Sequence, residues 1–221
     1  MGRIVLVHGA WHGGWCWEQV VPRLRSLGHQ VLVTELHRGS LAQDTAAVQA
    51  DVDAIGGDAV VCGHSYGGCV ITGLRAEGIR RLVYLAAMMP GADESASSLS
   101  TLGPSTGLST ALVVADDGTC TVEPGQADDV FYHDCPPGAR DAARARLRSQ
   151  VLATFAAPPG RVAWQEVDSL YVRCLEDRAV HPDLQDRLAE RAGARIEWPT
   201  SHSPFLSRPE LVADLLDRAA S

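Results

Sequence analysis

The chain contains no lysine and no asparagine, so all 19 of its basic residues are arginine. The first absence excludes a Schiff-base lysine and the phosphate-binding lysine of a P-loop. The second excludes N-linked glycosylation. Acidic residues number 27, which sets the net charge at −8. Nucleic acid and anionic membranes both require a basic face, so neither is expected as a partner. No apolar run approaches the ~20 residues of a membrane helix, and no apolar leader precedes the first strand-like run at Arg3. A cytoplasmic location is expected. The six cysteines include no C-x-x-C pair, so a zinc ribbon or a dithiol redox motif has no support. They are expected to be reduced and packed as small apolar groups. No metal and no cofactor are expected, and nothing in the pattern excludes a homodimer. Abundant Arg, Ala and Gly beside missing Lys and Asn suggest a GC-rich, bacterial coding sequence.

What is present is enough for a full core. A chain of 221 residues makes one medium domain, or one domain with an insertion. Apolar runs at Arg3–His8, Gln30–Thr34, Asp58–Cys62 and Ile79–Ala86 read as buried strands. Helical stretches alternate with them at Trp15–Leu27, Asp44–Ile55 (Asp44 as N-cap) and Gly68–Glu77. The alternation stops after Pro90. Residues 91–125 are rich in Ser, Thr, Gly, Pro and Asp without a period, and 136–155 contains a helical stretch, ARDAARARLRSQVLATF. Strands resume at Leu170–Leu175 and Arg195–Trp198, with helices at Pro182–Ala192 and Arg208–Ala219. The reading is an α/β fold: a mostly parallel six-stranded sheet with helices on both faces. Residues 1–89 and 169–221 form its core, and 90–168 form a lid inserted after the fourth strand.

Gly63-His64-Ser65-Tyr66-Gly67 is G-x-S-x-G between a strand and a helix. Its glycines permit a sharp turn that lifts the Ser65 hydroxyl above the sheet edge, beside the amides of a helix N-terminus. A nucleophilic serine needs a base, and the base needs an orienting acid. Glu176 and Asp177 follow the fifth strand, and His202 follows the sixth. Serine, acid and histidine thus fall in the chain order that this turn requires, at one edge of one sheet.

The segments HGAWHGGWCW (from His8), GHSYGG, AAMMP, FYHDC, EDRAVHPDLQ and SHSPFLSRPELV resemble the α/β-hydrolase fold. Within it, they resemble the branch of plant methyl esterases and hydroxynitrile lyases with their bacterial relatives. The resemblance implies Ser65 as nucleophile, His202 as general base and acid, and Asp177 rather than Glu176 as the orienting carboxylate. It also implies an oxyanion hole made by the backbone N–H groups of Ala10 and Tyr66. Trp11, Met88, Phe131, Tyr132 and Phe155 are the pocket candidates. His8 and His64 are read as structural, Trp15 and Trp17 as packing, and Arg140, Arg144 and Arg148 as a solvated helix face. The expected activity is cofactor-free cleavage of a small carboxylic ester or lactone through an acyl-enzyme. Lyases of the branch carry Lys directly after the catalytic His, and Thr or Asn after the first His of the His-Gly pair. Here those positions are Ser203 and Gly9, which disfavours cyanohydrin cleavage. A biosynthetic cyclase or a ligand-binding protein on the same scaffold is the remaining alternative.

Overall fold

The computed structural model describes residues 1–221. Nine strands form in chain order: β1 Arg3–Val7, β2 Gln30–Thr34, β3 Ala59–His64, β4 Ile79–Leu85, β5 Leu112–Val114, β6 Thr119–Val122, β7 Gln150–Val151, β8 Ser169–Cys174 and β9 Ala194–Trp198. Six of them make one sheet in the order β2-β1-β3-β4-β8-β9. Every neighbouring pair in it is parallel. All six strands therefore end at the same edge, and that edge collects the loops after β1, β3, β8 and β9.

The pleat divides each apolar run between two cores. Ile4, Leu6, Val60, Cys62, Val83 and Leu85 face one layer, covered by Leu24 of the helix Val21–Ser26 and by Leu215 and Leu216 of the helix Pro209–Ala220. Val5, Val7, Val61, Leu82 and Tyr84 face the other, covered by the helices Leu41–Ile55, Gly67–Thr72 and Pro182–Ala189. All six cysteines are free and buried. Burial raises the thiol pKa of Cys62, Cys69 and Cys135 to about 12, so they stay protonated at neutral pH.

Between β4 and β8 the chain builds a second, antiparallel sheet, β5-β6-β7, with short helices around it. The apparently aperiodic stretch 91–125 holds the helices Ala96–Ser100 and Gly107–Ala111 and the β5–β6 hairpin. These pieces are too short to leave a period. Ser95 and Ser98 close the first by a reciprocal capping box at 3.1 and 2.8 Å.

Four helix readings are corrected. Trp15–Leu27 is a 3₁₀ turn, Gly14–Trp17, followed by a separate helix, Val21–Ser26. Pro22 cannot continue a helix but starts one well. Asp44 is not an N-cap: Ser40 caps the helix Leu41–Ile55 by accepting from Gln43 N at 3.2 Å. Gly68–Glu77 is helical only over Gly67–Thr72, because Gly73 follows. In 136–155 the helix is Pro137–Arg144, after which the chain turns into β7 and a short helix, Ala153–Ala156.

The helix after β3 lies against the loop after β4 with no room for side chains. A Cβ on Gly68 would stand 2.0 Å from the Met88 carbonyl oxygen and 2.8 Å from the Ala87 Cβ. Backbone cannot yield as a flexible side chain does, so Gly68→Ala is expected to cost about 3 kcal/mol or more, the top of the overpacking range. Urea unfolding of the variant checks this. A loss below about 1 kcal/mol would mean that the loop moves freely.

Candidate active site

Ser65 follows β3 directly and adopts φ 54°, the left-handed region that a β-carbon disfavours. Three backbone hydrogen bonds hold it there. Its N–H donates to Leu85 O at 3.2 Å, and its carbonyl accepts from Gly68 N at 3.0 Å and Met88 N at 3.1 Å. Gly63 and Gly67 make the turn possible, since a Cβ on Gly63 would meet Gly67 O at 2.6 Å.

Asp177 lies past the end of β8 and is buried. One carboxylate oxygen accepts from Ala179 N at 2.7 Å and Val180 N at 2.9 Å. The other accepts from Gln185 Nε2 at 2.8 Å and faces His202 Nδ1 at 2.7 Å. Glu176 makes no such contact; its backbone pairs with Thr200 O and with His133 Nε2. Asp177 thus fixes the His202 ring, with Nδ1 as the donor and Nε2 as the opposite edge. His64 links this pair to the serine. Its Nε2 donates to the His202 carbonyl at 2.9 Å, and the two rings lie 4.5 Å apart. Its Nδ1 has no hydrogen-bond partner. Gln185 escaped the sequence reading, although its position eight residues after Asp177, early in the next helix, was a usable signal.

The loop after β1 packs on the serine turn. A Cβ on Gly9 would stand 2.9 Å from both Ser65 Cβ and His64 Nδ1, so this position excludes Thr and Asn. Ala10 and Tyr66 are buried, and neither amide N–H donates to any protein acceptor. By contrast, each carbonyl from Gly9 to His12 is held. Gly9 O faces His8 Nδ1 at 2.8 Å, and Ala10 O faces His12 Nδ1 at 2.8 Å. Trp11 O accepts from Arg148 N at 2.8 Å. His12 O accepts from His37 Nε2 at 2.8 Å and Arg148 Nη2 at 3.0 Å. Trp11 has φ 62° and sends its Nε1 to Cys120 O at 3.1 Å.

Trp11 packs on Phe131 and Phe155, with ring centres 6.0 and 5.4 Å apart. Phe131 lies 5.7 Å from the His202 ring, and Phe155 lies 5.7 Å from Tyr66. Met88 stands beside the serine turn and is half-buried. Tyr132 departs from expectation: its hydroxyl is spent on His12 Nε2 at 2.9 Å, so it backs the loop and does not face the serine. Tyr66 likewise spends its hydroxyl on Asp44 at 2.9 Å, a buried carboxylate that also accepts from Arg38 N. The arginine face is also corrected. Arg144 pairs with Asp128 and Asp141, whereas Arg148 lies beyond the helix and grips Glu35 and the His12 carbonyl. No group of three or more His, Cys, Asp or Glu side chains is arranged to hold a metal ion.

Burial drives the His12 imidazole down to about 3 and holds His64 well below its ordinary value. In the unfolded chain both titrate near ~6.5. Below that pH the unfolded state binds protons that the folded state refuses, so stability is full above about pH 6.5 and falls as the pH drops toward 3. Each fully shifted histidine removes up to about 2 kcal/mol by pH 5. Urea midpoints at pH 7.5 and pH 5 measure it; equal midpoints would contradict the neutral, buried state of these rings.

The α/β-hydrolase family model, described as "Alpha/beta hydrolase family", matches residues 4–215. The chain is 28% identical over 241 residues to the alpha/beta hydrolase nvfD of Aspergillus novofumigatus, covering 98% of this chain and 96% of that one. It is 41% identical over 115 residues to the carbendazim hydrolyzing esterase of a Nocardioides species, a match spanning 45% of this chain and 47% of that one. It is also 25% identical to methylesterase 2 of Arabidopsis thaliana, over 97% of this chain and 94% of the other. Among solved structures, the pyrethroid hydrolase PytH superposes with a TM-score of 0.86 at 23% identity, covering 99% and 97% of the two chains. The resemblance to the methyl esterase branch holds, and the chain belongs to the alpha/beta hydrolase family.

Proposed function

We propose that this protein is a cofactor-free serine esterase acting on a small, uncharged carboxylic ester or lactone. The observation that carries the reading is Ser65 at a left-handed apex, linked through His64 to a His202 ring held by Asp177. The Ser65 hydroxyl attacks the ester carbonyl while His202 Nε2 takes its proton. The tetrahedral oxyanion forms against the free N–H groups of Ala10 and Tyr66. His202 returns the proton to the departing alkoxide, and the alcohol leaves. Water then attacks the acyl group on Ser65, losing its proton to His202; the bond from the acyl carbon to Ser65 Oγ breaks, His202 returns the proton to that oxygen, and the carboxylic acid is released. Asp177 keeps the correct tautomer and stabilises the imidazolium as it forms.

The walls argue for an uncharged substrate. Met88 adjoins the serine turn, Phe131 lies against His202, Phe155 lies against Tyr66 and Trp11 packs on both phenylalanines, and none of the four carries a charge. Residues 90–168 contribute Phe131 and Phe155 and act in this reading as the roof of the acyl site. Relatives named as a carbendazim esterase, a methylesterase and a pyrethroid hydrolase support hydrolysis. The lyase alternative is weakened by crowding at Gly9, where the lyases' Thr or Asn cannot fit, and by Ser203 in place of their Lys.

Turnover of short nitrophenyl esters is expected to be unaffected by EDTA. Ser65→Ala should lower it by about 10⁴-fold or more, and a fluorophosphonate should label Ser65 alone. Asp177→Asn should lower kcat by about 10³- to 10⁴-fold, whereas Glu176→Gln should cost less than about tenfold, since that side chain does not reach His202. Label on another serine would move the nucleophile. A greater loss from Glu176→Gln than from Asp177→Asn would reassign the acid.

A further inference from the structure

The segment FYHDC, residues 131–135, belongs to the insertion and yet touches three loops of the site, those after β1, β8 and β9. Asp134 accepts from Ser201 N at 2.9 Å, next to His202. The Phe131 carbonyl accepts from Ser201 Oγ at 3.2 Å. His133 Nε2 donates to the Glu176 carbonyl at 2.8 Å, next to Asp177. Its link to the loop after β1 runs through a side-chain pair, Tyr132 and His12, both buried.

Only one placement of protons satisfies that pair. Ala10 O can only accept, so His12 Nδ1 carries the hydrogen. The ring is neutral in its buried setting, so Nε2 presents a lone pair and the Tyr132 hydroxyl donates to it. The Ala10 carbonyl belongs to the peptide that leads into Trp11, whose φ of 62° is held against the ordinary preference of an L-residue. Release of that carbonyl would let Trp11 relax, at a gain of about 1–2 kcal/mol. The peptide on the other side of the Ala10 α-carbon, which carries the Ala10 N–H, is held at its own oxygen by His8 Nδ1 at 2.8 Å, so His12 supplies the second of the two anchors that fix the Ala10 α-carbon.

We propose that Tyr132 and His12 are positioning residues for the reaction. The Tyr132 hydroxyl fixes the His12 ring, the His12 Nδ1–H holds the Ala10 carbonyl, and the Ala10 amide is thereby kept facing the reacting carbonyl oxygen. The insertion thus sets the oxyanion site from behind as well as covering the substrate. This rests on the esterase reading, in which the Ala10 N–H is an oxyanion donor.

The test compares His12→Leu, His12→Asn and Tyr132→Phe with wild type. Asparagine can place an amide N–H where His12 Nδ1 stands; leucine cannot. Loss of one oxyanion donor costs about 10²- to 10³-fold in kcat. His12→Leu should approach that loss with KM changed by less than about threefold, and His12→Asn should recover at least about tenfold of it. Tyr132→Phe should lower kcat by about tenfold. Affinity for an alkyl trifluoromethyl ketone, which forms an oxyanionic adduct on the serine, should fall in step with kcat/KM. Unchanged ketone affinity, or a His12→Asn variant no better than His12→Leu, would overturn the proposal. If His12→Leu does not fold, Tyr132→Phe and His12→Asn decide the same question. Nitrogen NMR of the folded proteins gives a readout free of activity. His12 should appear as the neutral Nδ1–H tautomer, and the Ala10 amide resonance should move in Tyr132→Phe; an unmoved resonance overturns the proposal. Wild type without ester turnover would sink the esterase reading alone, and the resonances would still decide the positioning.

Discussion

The structure depends on a backbone turn that no chain adopts freely. Ser65 sits in the left-handed region between a strand and a helix, and its neighbours have given up side chains to allow it. The strain is of the order of 1–3 kcal/mol and is held by bonds to Leu85, Gly68 and Met88. Leu85 and Met88 come from β4 and the loop that follows it, and Gly68 from the helix that begins at Gly67. The position of the serine hydroxyl is therefore a property of the central sheet, not of a flexible loop. The parallel order of the strands then brings the later loops to the same edge.

A second strained residue, Trp11, is treated differently. Its loop is secured from the carbonyl side by three histidine rings, an arginine side chain and an arginine backbone N–H. With the oxygens occupied, the Ala10 amide is left with its hydrogen unspent. In a dry site, such a fixed donor stabilises developing negative charge far better than a mobile one, because little reorganisation is needed as the charge appears. The cost falls on pH tolerance, since burial disfavours the charged form of His12 and His37.

The central sheet was legible because its strands are apolar on both faces and end in glycine or polar turns. The serine turn was legible for the same reason: Gly63 and Gly67 mark a backbone constraint that has a direct sequence expression. The insertion was not. Its helices have four to eight residues and its strands two to four, shorter than any period that could announce them. Tyr132 looked like a pocket wall because an aromatic residue in a lid segment reads that way. Its partner, His12, lies 120 residues away, and no local pattern records the hydrogen bond between them. Asp44 read as a cap for a similar reason, while its actual partners, Arg38 and Tyr66, lie outside the helix it was assigned to begin.

The six buried thiols give the molecule a property separate from its chemistry. They are spread through both layers of the core, with Cys16 and Cys62 on one side and Cys69, Cys120 and Cys135 on the other. Reagents that need a thiolate find none at the surface. Modification therefore has to wait for a local opening, and the order in which the cysteines react reports which layer breathes first. The chain thus carries its own set of internal clocks, one for each region of the fold, without an added label.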